Sequence, residues 1–343
     1  MEHIFSGLIP IFSLIVIGYL FKKISFPSHD FWPMADKLTY YILMPALLIF
    51  TLSKARIDSS SITFISVCLL AIFITMIILM IFNKISPTQN SSFTSIVQGG
   101  IRFNTYVFLA LSASIFGDKG LVLAAIIITF AIPFLNILSI SIFALYSNNS
   151  KIDFFYLFKS IVKNPLIIAC VLGALINFSE IKIPISIENL LKILSSAALP
   201  LGLISIGYTL VLKEIKSAKK DLTVTMIAKF IVLPLIIYIL AISFSLDNLM
   251  IAILVLFAIM PTAPSSFILA RQLGGDLPLI TSIITVQTIV AALFLILFLQ
   301  YFNWAFIYFY FKLMLLHLEK DNKKEQRIFR YKKEFKTLFL YFE

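Results

Sequence analysis

The sequence predicts an all-α polytopic membrane protein: ten transmembrane helices arranged as a 5+5 inverted repeat, with helices 4 and 9 broken. Three observations predict it. First, 60% of the 343 residues are hydrophobic and 13% are charged, with a mean hydropathy of +1.01. A water-soluble chain of this length exposes too much surface to hide that apolar content, so the solvent must itself be oily. Second, the apolar residues gather into ten segments, most of them close to the roughly 20 residues that cross a hydrocarbon core about 30 Å thick. Third, helix-breaking residues in one half recur at a nearly constant offset in the other.

The segments fall at 4–21, 34–52, 62–82, 95–116, 120–145, 165–179, 189–211, 222–244, 248–270 and 278–301, here spans 1 to 10. Span 1 lacks a basic leader and a small-residue cleavage site, so it reads as a helix of the mature chain and not a signal peptide. Turn signals separate the spans: Phe26-Pro27-Ser28, Ser86-Pro87-Thr88 and Ser147-Asn148-Asn149-Ser150. With an external N-terminus, the odd-numbered gaps hold eleven Lys/Arg and the even-numbered gaps five when Lys192 at the start of span 7 is included, so the positive-inside bias favours that orientation in an inner or plasma membrane. The domain plan is a first five-helix repeat at 1–145, a cytoplasmic connector at 146–164, a second repeat at 165–301 and a basic extension at 302–343. The connector contains Asp153-Phe-Phe-Tyr-Leu-Phe-Lys159, suited to a short interfacial helix. Nine of the 28 basic residues lie in the last 32 positions, and Lys312 in the run 303–318 favours a surface placement over an eleventh span.

Sliding the chain by 155 residues places Pro10 on Pro165, Gly18 on Gly173 and Pro45 on Pro200. An offset of 157 places Thr105 on Thr262, and one of 158 places Gly117-Asp118 on Gly275-Asp276. Five spans is an odd number, so the second copy enters the membrane in the opposite sense. That is a plan of secondary transporters, which bind their substrate near mid-bilayer between discontinuous helices. Unwound backbone in lipid costs several kcal/mol per unsatisfied group, so it persists only where protein or a cavity lines it.

Two spans carry such interruptions. Span 4 reads Gln98-Gly99-Gly100-Ile101-Arg102-Phe103-Asn104-Thr105, and span 9 reads Met260-Pro261-Thr262-Ala263-Pro264-Ser265-Ser266. Pro261 and Pro264 have no N–H and open the helix; Pro45 and Pro200 are expected to kink spans 2 and 7. An arginine at bilayer depth costs roughly 2.5–3.5 kcal/mol on insertion scales, so Arg102 faces protein or water, attracting an anion, or snorkels to the inner interface. Asn104 and Thr105 either cap a restarting helix or touch a ligand. Thr262, Ser265 and Ser266 either bond a ligand or satisfy freed carbonyls. The N-termini of half-helices leave N–H groups and positive dipole ends suited to a carboxylate.

At these residues the sequence resembles the auxin efflux carrier family, within the bile acid/auxin carrier superfamily and closer to its bacterial members. The resemblance covers about 1–300. It is carried by Pro10 with Gly18-Tyr19, by Tyr40-Tyr41-Ile-Leu-Met-Pro45, by Arg102-x-Asn104-Thr105, by Asn164-Pro165 and Leu199-Pro200-Leu. It continues through Met260-Pro-Thr-Ala, Leu269-Ala270-Arg271-Gln272 and Gly274-Gly275-Asp276. It implies a scaffold of spans 1, 2, 6 and 7, a moving bundle of spans 3–5 and 8–10, and elevator-like movement of a small organic anion such as a dicarboxylate or an aromatic acid. It also implies a substrate site where spans 4 and 9 cross, lined by Asn104, Thr105 and the stretch Thr262–Ser266. Two departures stand out: Leu111 replaces a proline frequent after the asparagine of span 4, and Ser265 replaces an asparagine common in span 9. The extension at 302–343 is not covered.

Other features narrow the function. Cys68 and Cys170 lie inside apolar runs and read as small core residues. His3, His29 and His317 are scattered, so no metal site is expected, and the chain shows no nucleotide-binding or nucleophile motif, so neither an enzyme nor a cofactor is expected. Asp36 and Asp221 fall near span ends and Asp118 and Asp276 just past spans, which leaves no acid at depth to couple an ion. Lys229 reads as an interfacial anchor. The implied partners are a small organic anion and the lipid bilayer, with a homodimer left open and no nucleic acid, the basic charge being spread over loops. The rival readings are a membrane ligand sensor or scaffold without transport, and a cation-coupled exchanger.

Overall fold

The computed structural model describes residues 2–55, 59–146, 162–179, 181–211, 219–292 and 294–295. The Asp153–Lys159 segment and the extension at 302–343 lie outside the described residues. Among the described residues the secondary structure is helical, without strands. The chain is a multi-pass membrane protein, and the expected segments appear in order.

Span 1 is α1 (Glu2–Lys23). Span 2 is α2 (Phe31–Leu38), a π-helical turn (Thr39–Leu43) and α3 (Met44–Leu52). Span 3 is α4 (Ser59–Ile85), and span 4 begins with α5 (Asn90–Ile101). The helix α6 (Thr105–Tyr146) completes span 4 and continues as span 5, the two meeting at Gly117, whose φ of 61° and ψ of −154° are non-helical. The second half has α7 (Pro165–Phe178) and α8 (Ile185–Thr209), then α9 (Lys219–Ile227), a π-helical turn (Ala228–Val232) and α10 (Leu233–Ser243). It ends with α11 (Asn248–Ala258), α12 (Ser265–Leu273) and α13 (Leu277–Ala292).

Each π turn stands just ahead of a proline, Pro45 at the start of α3 and Pro234 at the start of α10. A proline inside a helix removes one N–H and crowds the carbonyl one turn back, and widening the turn relieves both. Pro45 therefore widens span 2 without ending it. Pro200 likewise does not end its helix: α8 runs from Ile185 to Thr209 with the proline inside it. The freed carbonyl one turn back is a modest loss in a helix held along its length by neighbours.

Packing gathers most spans into two groups, with α6 lying against both, on α1, α3, α7 and α8 as well as on α4, α5 and α11. The helix α1 lies along α8, and α3 lies on both α7 and α8, joining spans 1, 2, 6 and 7. In the other group α4 packs on α10 and α6, α5 on α9 and α12, and α11 on α10 and α6. The internal repeat is visible in the closest backbone contacts. A Cβ on Gly18 would stand 1.9 Å from the carbonyl oxygen of Ile204 in α8, and one on Gly173 would stand 3.2 Å from the Cα of Ile49 in α3. Ile49 and Ile204 are themselves 155 positions apart, the offset that relates the two glycines. The same small-residue seam thus joins span 1 to span 7 and span 6 to span 2. Outward faces carry helical rows of exposed apolar residues, such as Ile168, Val171, Leu172 and Leu175 on α7 and Leu235, Ile239 and Ile242 on α10. Such rows are stable against lipid and not against water.

Candidate functional site at the two helix breaks

The break in span 4 is one extended step. Arg102 N donates to Gln98 O (2.9 Å) and closes α5, after which Arg102 takes φ −78° and ψ 155°. The next helix restarts under Asn104, whose Oδ1 accepts from the backbone N–H groups of Tyr106 (3.1 Å) and Val107 (3.3 Å). That is an N-cap, so half of the Asn104 amide has a structural task. The other half is free to do more: Asn104 is 2% exposed, and its Nδ2 has no hydrogen-bond partner among the described residues.

The break in span 9 runs from the end of α11 at Ala258 to Pro264, which stands at the N-cap position of α12. Thr262 is fully buried there. Its backbone N–H donates to Gln287 Oε1 (2.9 Å), and its hydroxyl shares one hydrogen between Gln287 Oε1 (2.7 Å) and the carbonyl of Gly99 (3.0 Å). Gln287, in α13, also donates from Nε2 to Gly99 O (3.0 Å). Carbonyls at a helix end need donors from elsewhere, and here side chains of spans 9 and 10 supply them to span 4. The two breaks therefore meet, and Thr262 serves as the strut between them.

Arg102 lies beside this crossing. Its Nη1 donates to Asn136 Oδ1 (3.3 Å) and Ser139 Oγ (3.4 Å) on the second part of α6, and its Nη2 to Ser265 Oγ (3.4 Å) at the start of α12. The guanidinium reaches Ser265 at the N-terminus of α12 and, on its other side, the second part of α6. All three bonds are long, which leaves the planar fork available to a stronger acceptor. Ser265 is exposed, Thr105 and Pro264 half-buried, and Pro261 buried. Ser266 is buried, and its hydroxyl has no hydrogen-bond partner among the described residues. The same is true of both ends of the Gln98 amide.

Lys229 is placed differently from the interfacial position expected. It is 0% exposed, sits in the π turn of span 8, and its Nζ donates to the carbonyl of Arg102 (3.0 Å). A lone lysine eight residues into an apolar span gives no hint of a partner 127 positions away. Gln287 and Asn136 likewise escape a reading of breaks and repeats, although a glutamine inside span 10 is a polar signal open to one. Among the described residues no group of His, Cys, Asp or Glu could hold a metal ion.

The strut carries its own prediction. Gln287→Leu leaves the Thr262 N–H buried without an acceptor, at about 1–3 kcal/mol for the unpaired group. The thermal midpoint is expected to fall, read by a thiol-reactive dye because both cysteines are free and buried in the folded chain. A midpoint unchanged from the parent would mean that the crossing holds without this strut.

Comparison with known proteins adds to the geometry. A family model described as membrane transport protein matches residues 3–299. The chain is 23% identical over 311 residues to a putative malonate transporter of Rhizobium meliloti, covering 86% of this chain and 97% of that one. It is 23% identical over 283 residues to an uncharacterized transporter of Methanocaldococcus jannaschii (80% and 91% covered). To an uncharacterized transporter of Methanothermobacter thermautotrophicus it is 24% identical over 281 residues (81% and 91% covered).

Proposed function

This chain belongs to the membrane transport protein family, the group that its auxin-carrier-like motifs indicate, and on that premise we propose that it is a secondary carrier of a small organic anion. The substrate class favoured is a short dicarboxylate, in keeping with the likeness to a putative malonate transporter. One observation carries the reading: the Arg102 guanidinium, loosely held at 3.3–3.4 Å, lies beside Ser265 where α6 and α12 both begin. A carboxylate there gains a bidentate arginine contact and two positive helix ends. Asn104 Nδ2, Thr105, Ser265 and Ser266 supply further donors, while Thr262 holds the crossing together. Alternating access follows as an elevator-like displacement of spans 3–5 and 8–10 against spans 1, 2, 6 and 7, with the N-terminus outside.

The test is counterflow of labelled malonate in proteoliposomes, run beside a panel of mono- and dicarboxylic acids. Arg102→Gln removes a charge-assisted contact worth about 1.5–3 kcal/mol, so exchange is expected to fall about tenfold to a hundredfold. Asn104→Ala and Ser265→Ala are expected to lower it about fivefold each. Unaltered exchange in both alanine variants would place the substrate elsewhere.

A further inference from the structure

Lys229 is an ionisable group held at depth beside the crossing. It is 0% exposed, so protein atoms alone cover it, and it stands in the π turn of span 8. Among the described residues its Nζ has one acceptor, the carbonyl of Arg102 at 3.0 Å. That carbonyl needs a donor from outside its own helix. Arg102 is the extended step between α5 and α6, and the N–H one turn ahead, that of Tyr106, is taken by Asn104 Oδ1. The side chain of the same arginine reaches Ser265, where α12 begins. One residue therefore holds the amine with its carbonyl and faces the proposed anion site with its guanidinium.

The surroundings offer a charge on Lys229 little to pair with. Its π turn packs on α4 and α5 and continues into α9 and α10 of its own span. From α4 comes the buried free thiol of Cys68, within electrostatic reach of the amine, with Lys84 in the last turn of that helix. The helix α5 contains no titratable residue and leads to Arg102, itself basic. Lys219, Lys220 and Asp221 open α9, Asp221 standing eight positions before Lys229, and α10 adds Tyr238. From α11 comes the ring of Phe257, its centroid 6.0 Å from Nζ, while Asp247 caps the far end of that helix. Among the described residues the ion pair is Lys54 with Glu188, so no carboxylate is paired with Lys229. An ammonium has three N–H groups, and two of them would be buried here without an acceptor. With the anion site empty, the amine is therefore held in its neutral form.

An anion at Arg102 alters that balance in two ways. It brings a negative charge to the residue whose carbonyl holds the amine, which favours the charged form. In addition, a charged N–H donor makes a shorter bond, roughly twice as strong as a neutral one. Protonation thus tightens the hold on the peptide from which the Arg102 side chain departs. Anion binding and protonation favour each other, and the coupling is reciprocal by linkage.

We propose that Lys229 is a proton-binding site coupled to the substrate site, taking a proton from water as the anion binds and making the carrier responsive to a pH gradient. This rests on the anion-carrier reading above. The proton adds to the lone pair of Nζ while an existing N–H keeps the Arg102 carbonyl, and it returns to water when the anion leaves; no other bond changes.

The experiment uses the full chain in detergent at about pH 8, where free carboxylates are ionised and an ordinary lysine is already charged. The sample is weakly buffered with a pH-indicator dye, and malonate is adjusted to the same pH. Wild type is expected to take up close to one proton per malonate bound. Lys229→Met, brought to saturation with malonate by scintillation proximity, is expected to show uptake reduced at least fivefold. Lys229→Arg carries a charge that it does not release, so it too is expected to bind without uptake. A side chain that served packing alone would leave uptake per bound malonate unchanged in both variants. Uptake that persists in either one overturns the proposal, since the proton then sits on malonate or elsewhere, and so does malonate binding by wild type without uptake. Loss of binding in both variants overturns it as well, because one charge state of this side chain must support binding. Where a single variant binds, its uptake decides. Failure of wild type to bind malonate overturns the dicarboxylate reading first and this proposal with it.

Discussion

Gly18→Ala is expected to cost the protein more stability than one added methyl group ordinarily does. The added Cβ would stand 1.9 Å from the carbonyl oxygen of Ile204 and 2.8 Å from its carbonyl carbon. Both are backbone atoms of α8, so no rotamer change clears them, and α1 must move away from α8 as a body. Overpacking usually costs about 1–3 kcal/mol, and a clash against rigid backbone belongs at or above the top of that range. Gly207 is the reciprocal case, with a Cβ 1.8 Å from the carbonyl oxygen of Ile15 in α1, so the two helices are locked from both sides. Gly173→Ala should be milder, because its nearest neighbour is the Cβ of Leu52 at 2.9 Å. The measurement is the thermal midpoint with the thiol-reactive dye and the monodisperse fraction after solubilisation. A Gly18→Ala protein as stable as the Gly173→Ala protein would show that α1 and α8 have room to part at no cost.

These glycines also mark how far the sequence carries. Gly18 and Gly173 are visible as a pair 155 positions apart, because a repeat preserves spacing. Their contacts, Ile204 and Ile49, are invisible there, since nothing local says which helix a glycine face meets. The breaks at 102–104 and 259–264 are legible for a local reason: glycine, proline, arginine and asparagine contradict an apolar helix wherever they stand. Pro200 shows the limit of that logic, since a proline lowers helix stability without deciding the outcome, and packing along α8 keeps it continuous. Partnerships across the chain set the rest. Thr262 is readable as polar and deep, but its commitment to Gln287 and Gly99 depends on spans 4 and 10 arriving together. Asp36 does lie near the end of its span, as its position in the apolar segment says, but its bond to Ser205 of another span is invisible there.

Lys229→Met is expected to separate function from stability. Lys229 is fully buried, its Nζ 3.0 Å from the carbonyl of Arg102 and 6.0 Å from the ring centroid of Phe257. Taking an amine out of water is costly, most of all when it is charged, and an apolar side chain of similar length avoids that cost. Against this, the Arg102 carbonyl loses its donor, at about 1–3 kcal/mol. The two contributions oppose each other, so the thermal midpoint should stay near that of the parent or rise. Exchange has no such compensation. The Lys229 bond fixes the peptide from which the Arg102 side chain departs, at the one extended step between α5 and α6. Releasing it lets the guanidinium drift from Ser265. Malonate counterflow is therefore expected to fall at least tenfold, about 1.4 kcal/mol in the discrimination the site provides. Lys229→Arg should not restore it, because a planar fork does not replace a single amine donor in a packed π turn. A stable Lys229→Met protein with full exchange would show that the Arg102 peptide needs no anchor and that the buried amine serves packing alone.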